Sequence, residues 1–171
     1  QYTHCGPLLR SCTAVFVLAN RNAHVDAAAV HALRASACRV VVVGPESAVP
    51  VAVAANVTLH RTTWCGGTCA TAAQLREVAP DVFAAPIDVL YADAGAAWAA
   101  DGSLVTSIAD GAVSAGAVFL PLTLAEAHVS PEALAVAGRL LEKYSAIAYH
   151  VDPAAGHFRV RSRRFPSQLQ G

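Results

Sequence analysis

A single α/β domain built on a mainly parallel central sheet with flanking helices is the fold class predicted by three observations. Thr13 to Ala19 and Arg39 to Val43 are apolar runs of strand length, too continuous to leave one face in water. Between them Val25, Val30, Leu33 and Ala37 recur at helical spacing on an alanine-rich segment. A strand, helix and strand in that order form a parallel pair with a right-handed crossover. The length of 171 residues and the 55% hydrophobic content supply one compact core rather than disorder.

The elements follow in order. Residues 1–12 read as an irregular start containing Gly6 and Pro7, and Gly44-Pro45 stops the second strand. Asn56 to Arg61 alternates Val57 and Leu59 against Thr58 and His60, a third strand. Thr68 to Ala79 is a helix burying Ala72, Leu75 and Val78, closed by Pro80. Ile87 to Ala92 is the next buried strand, with Ile87, Val89, Tyr91 and Asp93 on one face by alternation. Ser103 to Ile108 reads as a short strand or turn, and Ala117 to Leu124 as an extended segment whose Pro121 argues for an edge or a bulge.

Ser130 and Pro131 start a helix with Leu134, Ala137, Leu141 and Tyr144 on its apolar face. Ala146 to Val151, a turn at Asp152 to Gly156, and His157 to Arg163 then form a C-terminal hairpin. No stretch has the roughly 18 apolar residues of a membrane helix, so no transmembrane span is expected. Twelve Lys+Arg cancel twelve Asp+Glu, which removes net-charge support for nucleic acid or anionic membrane as a partner.

Five cysteines and the acceptor triplet Asn56-Val57-Thr58 point to a secreted or lumenal protein, glycosylated at Asn56 if that triplet is exposed; the plainer alternative is an intracellular alanine-rich domain whose cysteines are small core residues. Spacing suggests the pairs Cys5/Cys12 and Cys65/Cys69, with Cys38 left as a thiol beside an apolar strand. No Cys-x-x-Cys pair is present to suggest structural zinc. There is also no G-x-G-x-x-G after the first strand, no P-loop pattern and no G-x-S-x-G elbow.

Asp93 is the most informative carboxylate, because it follows a buried strand where open α/β sheets collect ligands. A local helix cap is the plainer use of an Asp in that position. The run IDVLYADAGAAW from Ile87 to Trp98, the later SAGAVFL from Ser114 to Leu120, and the closing FRVRSRRFP from Phe158 to Pro166 together carry a likeness. They resemble the GT-A nucleotide-diphospho-sugar glycosyltransferases, in which a V-L-Y-x-D-x-D strand delivers two carboxylates to a metal.

The resemblance implies a Rossmann-like GT-A-type core, a nucleotide-sugar donor and a glycan or protein acceptor. Tyr91, Asp93 and Ser114 would contact substrate, Asp93 would hold Mn or Mg, and Arg159 and Arg161 would clamp the anion. Gly95 stands where the second carboxylate of the pattern belongs. One oxygen donor makes a weak divalent site, so weak or absent transfer is the expectation.

A second reading comes from the arginines alone. Arg159, Arg161 and Arg163 recur at period two with His157, placing the four on one face of a strand. Such a face suits a diphosphate or a sulfated glycan, or serves as a solvated edge strand protected by its charges. On this reading the chain is a non-catalytic secreted module that binds a protein or glycan partner.

Overall fold

The computed structural model describes residues 12–18, 24–62, 71–93, 103–123, 131–144, 147–152 and 157–163. Seven strands form one sheet: β1 (Thr13–Leu18), β2 (Arg39–Gly44), β3 (Thr58–Arg61), β4 (Ile87–Asp93), β5 (Ala115–Thr123), β6 (Ile147–Asp152) and β7 (His157–Arg163). Their spatial order is β3-β2-β1-β4-β5-β7-β6. The first five in that order run parallel. β7 runs antiparallel to both its neighbours.

The two apolar runs behave as expected. Thr13 pairs with Arg39 and Val17 with Val43 in parallel register, and Val15, Val40, Val41, Val42 and Val43 are all buried. Both faces of these strands are covered. One face packs against α1 (Ala27–Ala35) through Ala29, Val30 and Leu33, helped by Ala48 and Val53 from two short 3-10 helices at Glu46–Ala48 and Val51–Asn56. The other face packs against α2 (Ala72–Val78), α3 (Pro80–Phe83), α4 (Leu104–Ala109) and α5 (Pro131–Lys143).

Local chemistry sets the helix starts. Thr71 and Gln74 form a reciprocal capping box ahead of α2, and Pro80 takes the first turn of α3 after ending α2. Ser103 caps α4, its hydroxyl accepting from the Thr106 amide at 3.1 Å. That cap converts the expected strand or turn at Ser103 to Ile108 into a helix, in which Leu104, Val105 and Ile108 are buried.

Three further expectations are corrected. Cys38 is no leftover thiol, because it forms a disulfide with Cys12 across a Cα–Cα distance of 4.4 Å. The parallel register puts the two residues side by side just before Thr13 and Arg39; Cys5, Cys65 and Cys69 lie outside the described residues. Pro121 sits on no edge strand, since β5 is flanked by β4 and β7, although the β4 pairing reaches only to Phe119. On α5 the buried residues are Ala133 and Val136, followed by Tyr144, whereas Leu134 and Leu141 are 60% and 54% exposed. The helix is fixed in that rotation by Tyr144, whose hydroxyl donates to the Ala115 carbonyl at 2.9 Å, and by Lys143, which donates to the Ile108 carbonyl at 2.7 Å.

Candidate functional site

The carboxyl ends of β3, β2, β1 and β4 line up as a row. Arg61 stands opposite Gly44, and Leu18 opposite Asp93. A Cβ on Gly44 would come within 3.1 Å of the Leu18 Cβ, so the missing side chain lets the ends of β1 and β2 meet closely. β1 is also where the sheet order reverses, since β2 and β3 extend to one side and β4 and β5 to the other. Ligands of open α/β sheets lie in the crevice outside such a switch point.

Polar groups gather at this end. Glu46, two residues past β2, accepts a hydrogen bond from Arg61 Nη2 at 2.9 Å, and both side chains are largely exposed. An ion pair in that setting adds at most about 1 kcal/mol, so its groups are available to a ligand at small cost to the fold. His60 Nε2 and Thr62 Oγ1 are buried with no hydrogen-bond partner among the described residues. At the entry to α1, the Asp26 carboxylate accepts from the amides of Ala28 at 2.9 Å and Ala29 at 3.4 Å. The helix-terminal amides that would hold a phosphate are therefore satisfied by an acid of the chain itself.

Asp93 closes β4 at this row, as its position in the sequence suggested. Tyr91 lies on the α1 face, between the ring of Phe16, with centroids 4.3 Å apart, and that of Phe119, at 4.6 Å. The three residues are cross-strand partners on β1, β4 and β5. Val89 joins Tyr91 on that face, whereas Ile87 packs with the opposite cluster at the foot of the strand.

The structure separates one residue from the rest. Ser114 lies at the amino end of the sheet, its carbonyl accepting from the Ile87 amide at 2.9 Å. Six residues of strand put it about 20 Å from Asp93. The same end carries the Cys12–Cys38 disulfide and Asp88, whose carboxylate accepts from the Thr13 amide at 2.7 Å. Ser114 is thus a structural neighbour of the β4 start and no companion of Asp93.

Arg161 stands opposite Phe119 on β7, and Arg159 opposite Pro121. By register Arg161 belongs to the same transverse row as Tyr91, two strands away or about 10 Å. β7 lies between β5 and β6, so the arginine strand is interior to the sheet and the edge-strand account of its charges does not hold. Among the described residues no group of three or more His, Cys, Asp or Glu side chains is arranged to hold a metal ion. Gly95 and the arms around it lie outside the described residues.

Asn56 is the last residue of the second 3-10 helix, half-buried, with Thr58 exposed at the start of β3. No helix among the described residues is long and apolar enough to cross a membrane. Sequence reasoning missed Asp26, Glu46 and Arg61. Glu46 had a signal in the Gly44-Pro45-Glu46 turn, because an acid just after the second strand is where such sheets bind ribose hydroxyls. Arg61 had none until β3 was placed beside β2. Comparison with protein-family models, with curated proteins and with solved structures finds no match for this chain.

Proposed function

We propose that the chain binds a nucleoside-bearing small molecule across the carboxyl ends of β1, β2 and β4, with Glu46 on the ribose hydroxyls and Asp93 at the β4 side. The observation that carries this reading is the order reversal at β1, where Leu18 adjoins both Gly44 and Asp93, the position outside which open α/β sheets bind ligands. A ligand without phosphate fits best. Asp26 already occupies the α1 amides, and the link from Ala19 to His24 contains no glycine to let backbone approach a diphosphate. A nucleoside joined to a thioether or sulfonium has this composition.

The glycosyltransferase-like form is the second reading, supported by the position of Asp93 at the strand end. There a nucleotide-diphospho-sugar would be held from the β4 side alone, through a divalent ion at Asp93 with the β7 arginines as anion clamp. Transfer to a glycan or protein acceptor would be slow, because one carboxylate leaves the ion weakly held. The Cys12–Cys38 disulfide and the Asn56 triplet support a secreted or lumenal setting for either form.

Calorimetry on the full chain decides among S-adenosylhomocysteine, uridine diphosphate with manganese, and NAD. Binding of S-adenosylhomocysteine, weakened about tenfold by Glu46→Ala and unchanged by Asp81→Ala, is the expected result. Uridine diphosphate bound only with manganese, and lost in Asp93→Ala, would favour the second form. Silence from all three ligands at millimolar concentration would leave a partner-binding module as the better account.

A further inference from the structure

Resting on the nucleoside reading of this site, we infer that the Glu46–Arg61 pair discriminates at the ribose 2′ position, accepting a free hydroxyl and rejecting a phosphorylated one. Register brings the two residues together. Arg61 ends β3 opposite Gly44, the last residue of β2, and the Thr62 amide donates to the Gly44 carbonyl at 3.2 Å. Glu46 begins the 3-10 turn that follows β2, and that turn is tied at both ends. The Ala48 amide donates to the Pro45 carbonyl at 3.0 Å, and the Ala48 carbonyl accepts from the Val25 amide at 2.9 Å. Ala48 is buried in the cluster that α1 covers. The carboxylate thus stands on a fixed base just past β2, where sheets of this architecture hold ribose hydroxyls.

Much of the hydrogen-bonding capacity of the pair is open. Arg61 Nη2 donates to Glu46 Oε1 at 2.9 Å, and neither side chain makes another hydrogen bond among the described residues. A carboxylate with one oxygen engaged still accepts from a diol through the other, and a guanidinium with one N–H engaged still has donors to spare. The side chains of Arg61 and Glu46 are 70% and 67% exposed, so both tips are within reach of a ligand without any change in the core.

The two tips respond oppositely to a phosphate on the 2′ oxygen. Glu46 accepts from a free 2′-hydroxyl, but a dianionic phosphate has no proton to give it and repels its charge. Arg61 attracts the phosphate, yet its own charge is offset by the carboxylate it holds. A lost charge-assisted bond together with that repulsion amounts to about tenfold or more against the phosphorylated ligand. Without Glu46 the guanidinium is released to grip phosphate oxygens by paired hydrogen bonds, and the preference reverses. An ion pair that serves only the surface would show no such reversal.

Calorimetry of the full chain with adenosine, adenosine 2′-monophosphate and adenosine 5′-monophosphate tests the inference. The parent chain should bind adenosine at least about tenfold more tightly than the 2′-phosphate. Glu46→Ser should weaken adenosine about tenfold and tighten the 2′-phosphate by a similar factor, while the ratio of adenosine to the 5′-phosphate moves by less than about twofold. Adding Arg61→Ser should abolish the gain, and Arg61→Lys in its place should keep only part of it, because an ammonium lacks the paired fork. Both side chains stand largely in water, so these variants keep the fold. An unchanged ratio of adenosine to the 2′-phosphate in Glu46→Ser would overturn this inference alone, since adenosine binding leaves the site reading in place. An equal shift for the 5′-phosphate would also overturn it, as an effect of net charge. Failure of the parent chain to bind adenosine at millimolar concentration would overturn the site reading, and this inference with it.

Discussion

Leu18 and Gly44 meet at the carboxyl end of the sheet so closely that a methyl group on Gly44 would sit 3.1 Å from the Leu18 Cβ and 3.3 Å from its carbonyl oxygen. Neither atom can yield freely, because both belong to a central strand. Gly44→Ala is expected to destabilise the fold by about 1–2 kcal/mol, the cost of overpacking less a few tenths regained from a stiffer unfolded chain. Urea denaturation measures it. A variant as stable as the parent would show that β1 and β2 have more play than the contact implies.

Reducing the disulfide should cost more. Cys12 and Cys38 are 26 residues apart in sequence, and opening a loop of that size releases roughly 3–4 kcal/mol of unfolded-state entropy in the chain-entropy model. Denaturation with and without dithiothreitol, and of Cys12→Ala/Cys38→Ala without it, should show the same drop in midpoint. Intact mass of the native protein should fall two hydrogens short of the reduced chain for this bridge.

The exposed and buried positions of α5 should separate cleanly. Leu141→Gln is expected to change stability by less than about 0.5 kcal/mol, because its side chain is already half in water. Val136→Ala, deep in the contact with the sheet, should lose about 1–2.5 kcal/mol. Thermal unfolding of the pair checks the rotation of the helix, and the reverse order would mean that Leu141 faces the core.

Tyr144→Phe removes the hydroxyl that donates to the Ala115 carbonyl at 2.9 Å in a buried site. The orphaned carbonyl makes a loss of about 1–2 kcal/mol the expected outcome. Because that bond ties the end of α5 to the start of β5, hydrogen exchange should quicken at Ala115 to Ala117 ahead of the rest of the sheet.

What could be read from the sequence was the part governed by local pattern. Val15 to Leu18 and Val40 to Val43 are apolar on both faces, so parallel burial at the sheet centre follows without knowing any partner. The hairpin of β6 and β7 was equally legible from a turn between two extended runs. Its insertion, with β7 placed inside β6, was not, because pairing order is decided by distant strands. Leu134 and Leu141 misled for a related reason. Leucine at helical spacing marks an apolar stripe, but the stripe that docks was chosen by Tyr144 and Lys143 reaching Ala115 and Ile108.

The candidate site was half legible. Asp93 could be placed because strand ends carry ligands in this architecture, whereas its neighbour Leu18 emerges only once β4 is seen beside β1. Ser114 was grouped with it on a resemblance of short motifs, and the direction of β5 puts it at the other end. Glu46 and Arg61 come together only because β3 lies beside β2, a contact that no local pattern encodes. Cys12 and Cys38 had the same difficulty: nearness in sequence favoured Cys5 as a partner, while nearness across the sheet favoured Cys38.

The position of β7 also bears on how the sheet is assembled. β6 precedes β7 in the sequence yet reaches β5 only through it, so the outer strand has no place to attach until the later one has slotted in. Five parallel strands can zip up as the chain emerges, but the final two must arrive together as a preformed hairpin or wait unpaired. A chain cut after Gly156 would therefore forfeit two strands rather than one, leaving the open side of β5 as a sticky template for other copies.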